Sequence, residues 1–155
     1  MCRSDIHFTL RFEPDIPHVT HQSGTKIAVE HRHARTYKTR ELIKLESTLC
    51  KLIKPFAPPS PWNCPVHLTV IYSFRAPKSL PKRKTRLPAW KTTKPDVDNL
   101  VKTLKDCLTR TGFYEDDALV ALLTIGKMWV ADDAPHGIEI RLRDISSQEN
   151  ERNIE

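Results

Sequence analysis

The chain has 155 residues, 25 lysines and arginines against 19 acidic residues, and a formal net charge of +6. That length suits one domain able to bury a core. No apolar run approaches the roughly 20 residues needed to span a bilayer, which excludes a transmembrane helix. The stretch after Met1 has no apolar segment of signal-peptide type, so a cytoplasmic protein is expected.

In chain order, Ile6 to Phe12 alternate apolar and polar side chains, the pattern of a half-buried strand that Pro14 and Pro17 end. Between Val19 and Arg35 the pattern is weak, with Lys26–Val29 a candidate short strand. His31 and His33 alternate, but no cysteine or further histidine stands at zinc-finger spacing. Cys2, Cys50, Cys64 and Cys107 form no C-x-x-C pair and read as reduced thiols.

From Tyr37 to Lys54, Leu42, Leu45, Leu49, Leu52 and Ile53 recur at helical spacing, with Thr36 or Thr39 as the cap. Pro55, Pro58, Pro59 and Pro61 stop this helix. Val66–Phe74 is a second strand. Arg75–Pro95 reads as a long loop, and long loops in compact domains are usually functional. It carries Lys78, Lys82, Arg83, Lys84, Arg86, Lys91 and Lys94. Val97, Leu100, Val101, Leu104 and Leu108 then define a second helix, closed by Gly112. Strands are expected in Ala118–Val130 and Ile138–Leu142, and the polar tail from 146 to 155 lies outside the domain of residues 1–145. The order β-α-β-α-β-β predicts an α/β (α+β) domain, a mixed β-sheet with helices packed on it.

A basic loop leading into an acidic cluster suits metal-dependent chemistry on a polyanion, since cations hold phosphates and carboxylates hold a metal ion. Asp96 and Asp98, two residues apart, diverge within a helix but share a face in an extended segment. The reading puts Asp96 in an extended entry and Asp98, a good N-cap type, near the first turn. Mg²⁺ takes one or two carboxylates and fills its other positions with water and phosphate. Asp116 and Asp117, at the start of the third strand, are candidates for a third carboxylate if the loop after Gly112 reaches back. Lys102 lies one turn beyond Asp98. It serves either as a surface ion pair or as a counter-charge to the scissile phosphate. A D-x-D-N string alone is equally a capping arrangement.

The run Lys94-Pro95-Asp96-Val97-Asp98-Asn99-Leu100-Val101-Lys102, with Leu104-Lys105-Asp106 and then Gly112-Phe113-Tyr114-Glu115-Asp116-Asp117, resembles the signature of RusA-type Holliday-junction resolvases. The likeness extends to Trp90–Pro95, which is similar to the phage and prophage branch found in Gram-positive hosts. The resemblance implies an endonuclease that resolves four-way junctions by paired nicks as a homodimer. It implies Mg²⁺, with Mn²⁺ as a substitute, held by Asp96, Asp98 and Asp117, with Asp116 a further candidate ligand. It also implies Lys102 as the catalytic lysine. Lys82, Arg83, Lys84, Arg86, Lys91 and Lys94 are expected to contact DNA. The chain departs from the family's P-P-S-x-N stretch at Pro14–Thr20, which leaves the DNA contacts of that segment open. A non-catalytic branched-DNA-binding module and a nuclease for flaps or forks are the competing readings.

Overall fold

The structure is a computed structural model that describes residues 5–12, 16–17, 19–20, 22–30, 33–80 and 86–147. Its strands are β1 (Ile6–Arg11), β2 (Thr25–Glu30), β3 (His33–Lys38), β4 (Val66–Arg75), β5 (Ala89–Trp90), β6 (Val120–Val130) and β7 (Gly137–Asp144). Its helices are α1 (Arg40–Ile53) and α2 (Val97–Thr111), and short 3-10 turns cover Lys54–Phe56 and Asp117–Leu119. Five strands form a mixed sheet in the order β1-β7-β4-β6-β5, in which β4 and β6 run parallel and the other pairs antiparallel. No helix is long and apolar enough to cross a membrane among the described residues.

Strict alternation along β4 explains its central place. Val66, Leu68, Val70, Tyr72 and Phe74 are buried, while the residues between them are half-buried. Each such aliphatic side chain contributes about 1.5–3 kcal/mol through burial. The core side of β4 meets Ile138, Ile140 and Leu142 of β7, Phe8 and Leu10 of β1, and the apolar stripes of both helices. A parallel pair cannot be joined by a tight turn, so β4 needs a crossover to reach β6. The helix α2 supplies it, with Leu100, Val101, Leu104, Cys107 and Leu108 facing the core. Gly112 closes α2 at φ 88°, and its amide reaches the carbonyls of Leu108 and Thr109.

The expected mixed sheet with helices packed on it is present, but the element order needs correction. A two-stranded ribbon of β2 and β3 precedes α1, so the candidate strand at Lys26–Val29 is one half of a hairpin. Tyr37 and Lys38, placed in the first helix by periodicity, belong to β3, where Lys38 pairs with Thr25. Of the two candidate caps it is Thr39 that starts α1, its hydroxyl accepting from the Leu42 amide at 3.4 Å. Within the expected loop, Ala89 and Trp90 pair with Trp129 and Met128. At α2 the N-cap is Asp96 and not Asp98, which sits inside the first turn.

Glu46 binds three elements together. Its side chain is 5% exposed and meets Lys38 Nζ at 2.6 Å and Arg110 Nη2 at 3.0 Å. Burial pushes this carboxyl up, but the two cations together draw it below its ordinary 4.5. A depressed carboxyl contributes stability that is present above the unfolded pKa and lost as pH falls through the folded value. Thermal melts should therefore show wild type gaining over Glu46→Gln at neutral pH and losing that advantage as the pH falls below the ordinary 4.5 and through the depressed folded value. Parallel melting curves at every pH would remove Glu46 as the source.

Gly137 opens β7 at φ 147°, a conformation L side chains avoid. A Cβ there would stand 2.0 Å from the Leu10 carbonyl oxygen. That atom is backbone in the paired strand and cannot turn aside. Gly137→Ala should cost about 3 kcal/mol or more in urea unfolding. A loss under about 0.5 kcal/mol, the range of neutral surface changes, would contradict this account.

Candidate active site

The crossover that joins β4 to β6 also fixes where the acidic motif lies. Asp96 has extended backbone (φ −75°, ψ 145°), and its side chain makes no capping hydrogen bond. Asp98 follows in the first turn of α2, where the exposed amides of a helix start favour negative charge. Both residues are exposed, and neither carboxylate pairs with a cation among the described residues.

Two lysines, neither turned toward solvent in the usual way, hold the approach to Asp96. Lys91 is 3% exposed. Its ammonium donates to the Thr93 carbonyl at 3.0 Å, to Thr93 Oγ1 at 2.7 Å and to the Lys94 carbonyl. It also lies 4.5 Å from the Trp129 ring centroid and 5.4 Å from that of Phe74, within cation–π range. Burial, and then the nearby Lys127 charge, lower its pKa. Lys127 of β6 donates to the carbonyls of Thr93 and Pro95, each at 2.6 Å. The segment ahead of Asp96 is thus pinned to β6 by paired side-chain donors. The Lys94–Pro95 peptide bond within it is cis.

Opposite this segment stands a turn at residues 22–24, with Thr20 bonded to it. Thr20 and Ser23 share a hydrogen bond at 3.1 Å, and the Gly24 amide donates to Thr20 at 2.8 Å. Gly24 is forced by packing, because a Cβ there would meet Leu42 Cβ at 2.6 Å. Asn99 of α2 donates to Gln22 at 3.0 Å and ties the turn to the helix start. Thr20, Gln22, Ser23, Lys94, Pro95, Asp96 and Asn99 together line an open groove of about 420 Å³.

Asp117 lies elsewhere along the helix. The loop after Gly112 is anchored by buried Phe113 and Tyr114 and by backbone bonds on both sides of Trp62, Trp62 N to Phe113 O and Glu115 N to Trp62 O. Asp116 caps the following 3-10 turn through the Ala118 amide at 2.7 Å. Asp117 then pairs with Lys105 Nζ at 3.4 Å. Tyr114 donates to the Lys105 carbonyl at 3.3 Å, and its phenol is pushed up by burial first and by the Asp117 charge second. Lys105 is seven residues beyond Asp98, about 10 Å along the helix axis. Among the described residues, no three acidic, histidine or cysteine side chains come close enough to share a metal ion.

The structure therefore brings Asp96 and Asp98 to one end of α2 and places Asp117, in the turn that follows the helix, against Lys105 two turns further along it. Lys102, exposed on the face between them, makes no hydrogen bond or ion pair with a described residue. Lys94 and Arg86 are exposed. Lys91 is a correction: it was expected to face DNA, but its ammonium is spent on internal carbonyls. Lys82, Arg83 and Lys84 lie outside the described residues. Thr20, Gln22, Ser23, Lys105 and Lys127 were not singled out from the sequence. Their roles come from long-range contacts that no local spacing signals.

As a donor set, Asp96 and Asp98 offer the hard oxygens that Mg²⁺ takes one or two at a time, with water and phosphate completing its shell. The chain matches the family model described as Endodeoxyribonuclease RusA over residues 17–143. It is 34% identical over 83 residues to the crossover junction endodeoxyribonuclease rusA of Lactococcus phage r1t, covering 54% of this chain and 57% of that protein. It is 41% identical over 56 residues to the uncharacterized protein YqaN of Bacillus subtilis (strain 168), covering 36% of this chain and 37% of that protein. The chain thus spans less than two thirds of either relative.

Proposed function

The chain belongs to the RusA endodeoxyribonuclease family, and on that premise we propose that it is a divalent-metal-dependent nuclease that resolves four-way DNA junctions in recombination and repair. The observation that carries this reading is the pair of exposed carboxylates, Asp96 and Asp98, without cation partners among the described residues and following a basic segment of the sequence. Carboxylates next to a phosphate-binding surface repel their own ligand unless a cation lies between them.

In this reading the catalytic set is Asp96, Asp98, Asp117 and Lys102. Asp96 and Asp98 hold the metal ion, Mg²⁺ or in its place Mn²⁺. When bound, it supplies polarisation of the phosphodiester and a lowered pKa for an attacking water. Asp117 joins from its leash on Lys105 when DNA arrives, and Asp116 keeps that turn in shape. Lys102 offsets the charge that develops on the phosphate. Lys94 and Arg86, with Lys82, Arg83 and Lys84, hold the backbone without reading sequence. Two copies acting as a homodimer in the cytoplasm would make the paired nicks that resolution needs.

The test is incubation of purified protein with a fixed four-way junction and a linear duplex of the same sequence, with and without Mg²⁺. Metal-dependent paired nicking of the junction, with the duplex intact, is expected. Tight junction binding with no cleavage in Mg²⁺ or Mn²⁺ would instead identify a binding module. Preferential cutting of flaps or forks would keep the site and change the substrate.

A further inference from the structure

Trp90 is 69% exposed, whereas Trp62 is 4% exposed and Trp129 packs against the core. Single exposed apolar residues are ordinary on protein surfaces. Trp90 is set apart by how firmly it is held. It pairs with Met128 in the sheet, and the next amide, Lys91 N, donates to Lys127 O at 3.0 Å. Beneath the indole lies Gly126, where a Cβ would stand 3.0 Å from Ile71 Cδ1 and 3.4 Å from Trp90 Cζ3. The missing side chain lets the six-membered edge of the indole rest on the sheet while the remainder faces solvent. A large aromatic surface is thus displayed on a strand, with little conformational freedom left to lose.

Its surroundings are also specific. From Ala76 to Pro95 the chain has seven lysines and arginines and no acidic residue. Asp96 follows Trp90 by six residues, so the two lie within about 20 Å even if the chain were fully extended. A second copy docking symmetrically on Trp90 would bring this basic segment against itself. A polyanion meets no such repulsion.

We infer that Trp90 is a stacking platform for a nucleobase exposed at a DNA branch point. Bases inside a duplex are already stacked on their neighbours, while those at a branch or in a single strand have a free face. Every base has such a face, so the contact favours open structure over sequence. The Lys91 and Lys127 contacts then make the platform and the approach to Asp96 one rigid piece. This inference rests on the nucleic-acid reading above and adds the source of its structural preference.

The test uses a four-way junction with 2-aminopurine at the branch point and a linear duplex with the same base, both in metal-free buffer. Wild type, Trp90→Phe and Trp90→Leu are compared, since leucine keeps apolar bulk but has no π-face. Binding of wild type and Trp90→Phe should quench the 2-aminopurine in the junction. Trp90→Leu should leave it bright and bind the junction about tenfold more weakly, with duplex affinity unchanged. Identical quenching and affinity in a folded Trp90→Leu variant, checked by circular dichroism, would overturn the inference. So would equal losses on both DNAs accompanied by a shift from dimer to monomer in sedimentation, which would make Trp90 a subunit contact. A wild type that quenches but never cleaves in Mg²⁺ removes the nuclease reading and leaves the platform standing.

Discussion

Asp98→Asn should lose at least about a thousandfold in single-turnover junction cleavage, equivalent to roughly 4 kcal/mol of transition-state stabilisation. The substitution keeps the size of the side chain and removes only the charge that would hold the metal ion. Folding should change little, because Asp98 is exposed and has no ion-pair partner among the described residues. Its favourable interaction with the start of α2 amounts to about 0.3–1 kcal/mol. Affinity for the junction in metal-free buffer should stay equal or rise, as one carboxylate fewer repels phosphate. Cleavage, anisotropy and thermal melts on one preparation separate these effects. A wild-type cleavage rate in Asp98→Asn would show that the metal is held elsewhere.

Lys102→Ala should lower the same rate by about a hundredfold to a thousandfold, the range for removing one donor aimed at developing charge. An ion-pair role for Lys102, with Asp98 or Asp106 one turn away, would predict a different result. That role finds no support in the structure, where Lys102 is exposed and pairs with neither carboxylate. There is no contact to break, and alanine is the better helix former, so stability should hold or rise slightly. Lys102→Arg keeps the charge but moves its donors, and partial activity is expected. If Lys102→Ala cuts at the wild-type rate, the lysine is only part of a solvated face.

Elements with one buried side were legible because burial imposes a period. The alternation of Val66 to Phe74 and the helical spacing of Leu100, Leu104 and Leu108 each identify a face. Of the ribbon of β2 and β3 only the short strand at Lys26–Val29 was legible, because no buried face marks the hairpin. Ile27, Val29 and Tyr37 are 70%, 76% and 50% exposed, so neither of its faces is written as apolar. At two residues, β5 is too short for any period to appear.

The residues of the candidate acidic site could be named from the sequence, but much of their arrangement could not. Asp96 and Asp98 lie where a proline and a helix start place them, which is local information. Asp117 depends on Trp62, Tyr114 and Lys105, contacts made across the fold. Lys91 shows the limit of reading charge as exposure. In sequence it is one of seven cations, yet carbonyls from Thr93 and Lys94 and the rings of Trp129 and Phe74 turn it inward.

The two ends of the acidic motif are both referred to one strand, since Lys127 of β6 grips the chain just before Asp96 and Asp117 leads into the start of β6. The twenty residues between these aspartates therefore form a closed measure, with α2 as its fixed rod and Gly112 as its corner. An insertion of even one residue there would rotate the helix by about 100° or displace the corner, and would carry the aspartates out of relation to each other. Members of this lineage should therefore keep the length between Asp96 and Asp117 unchanged.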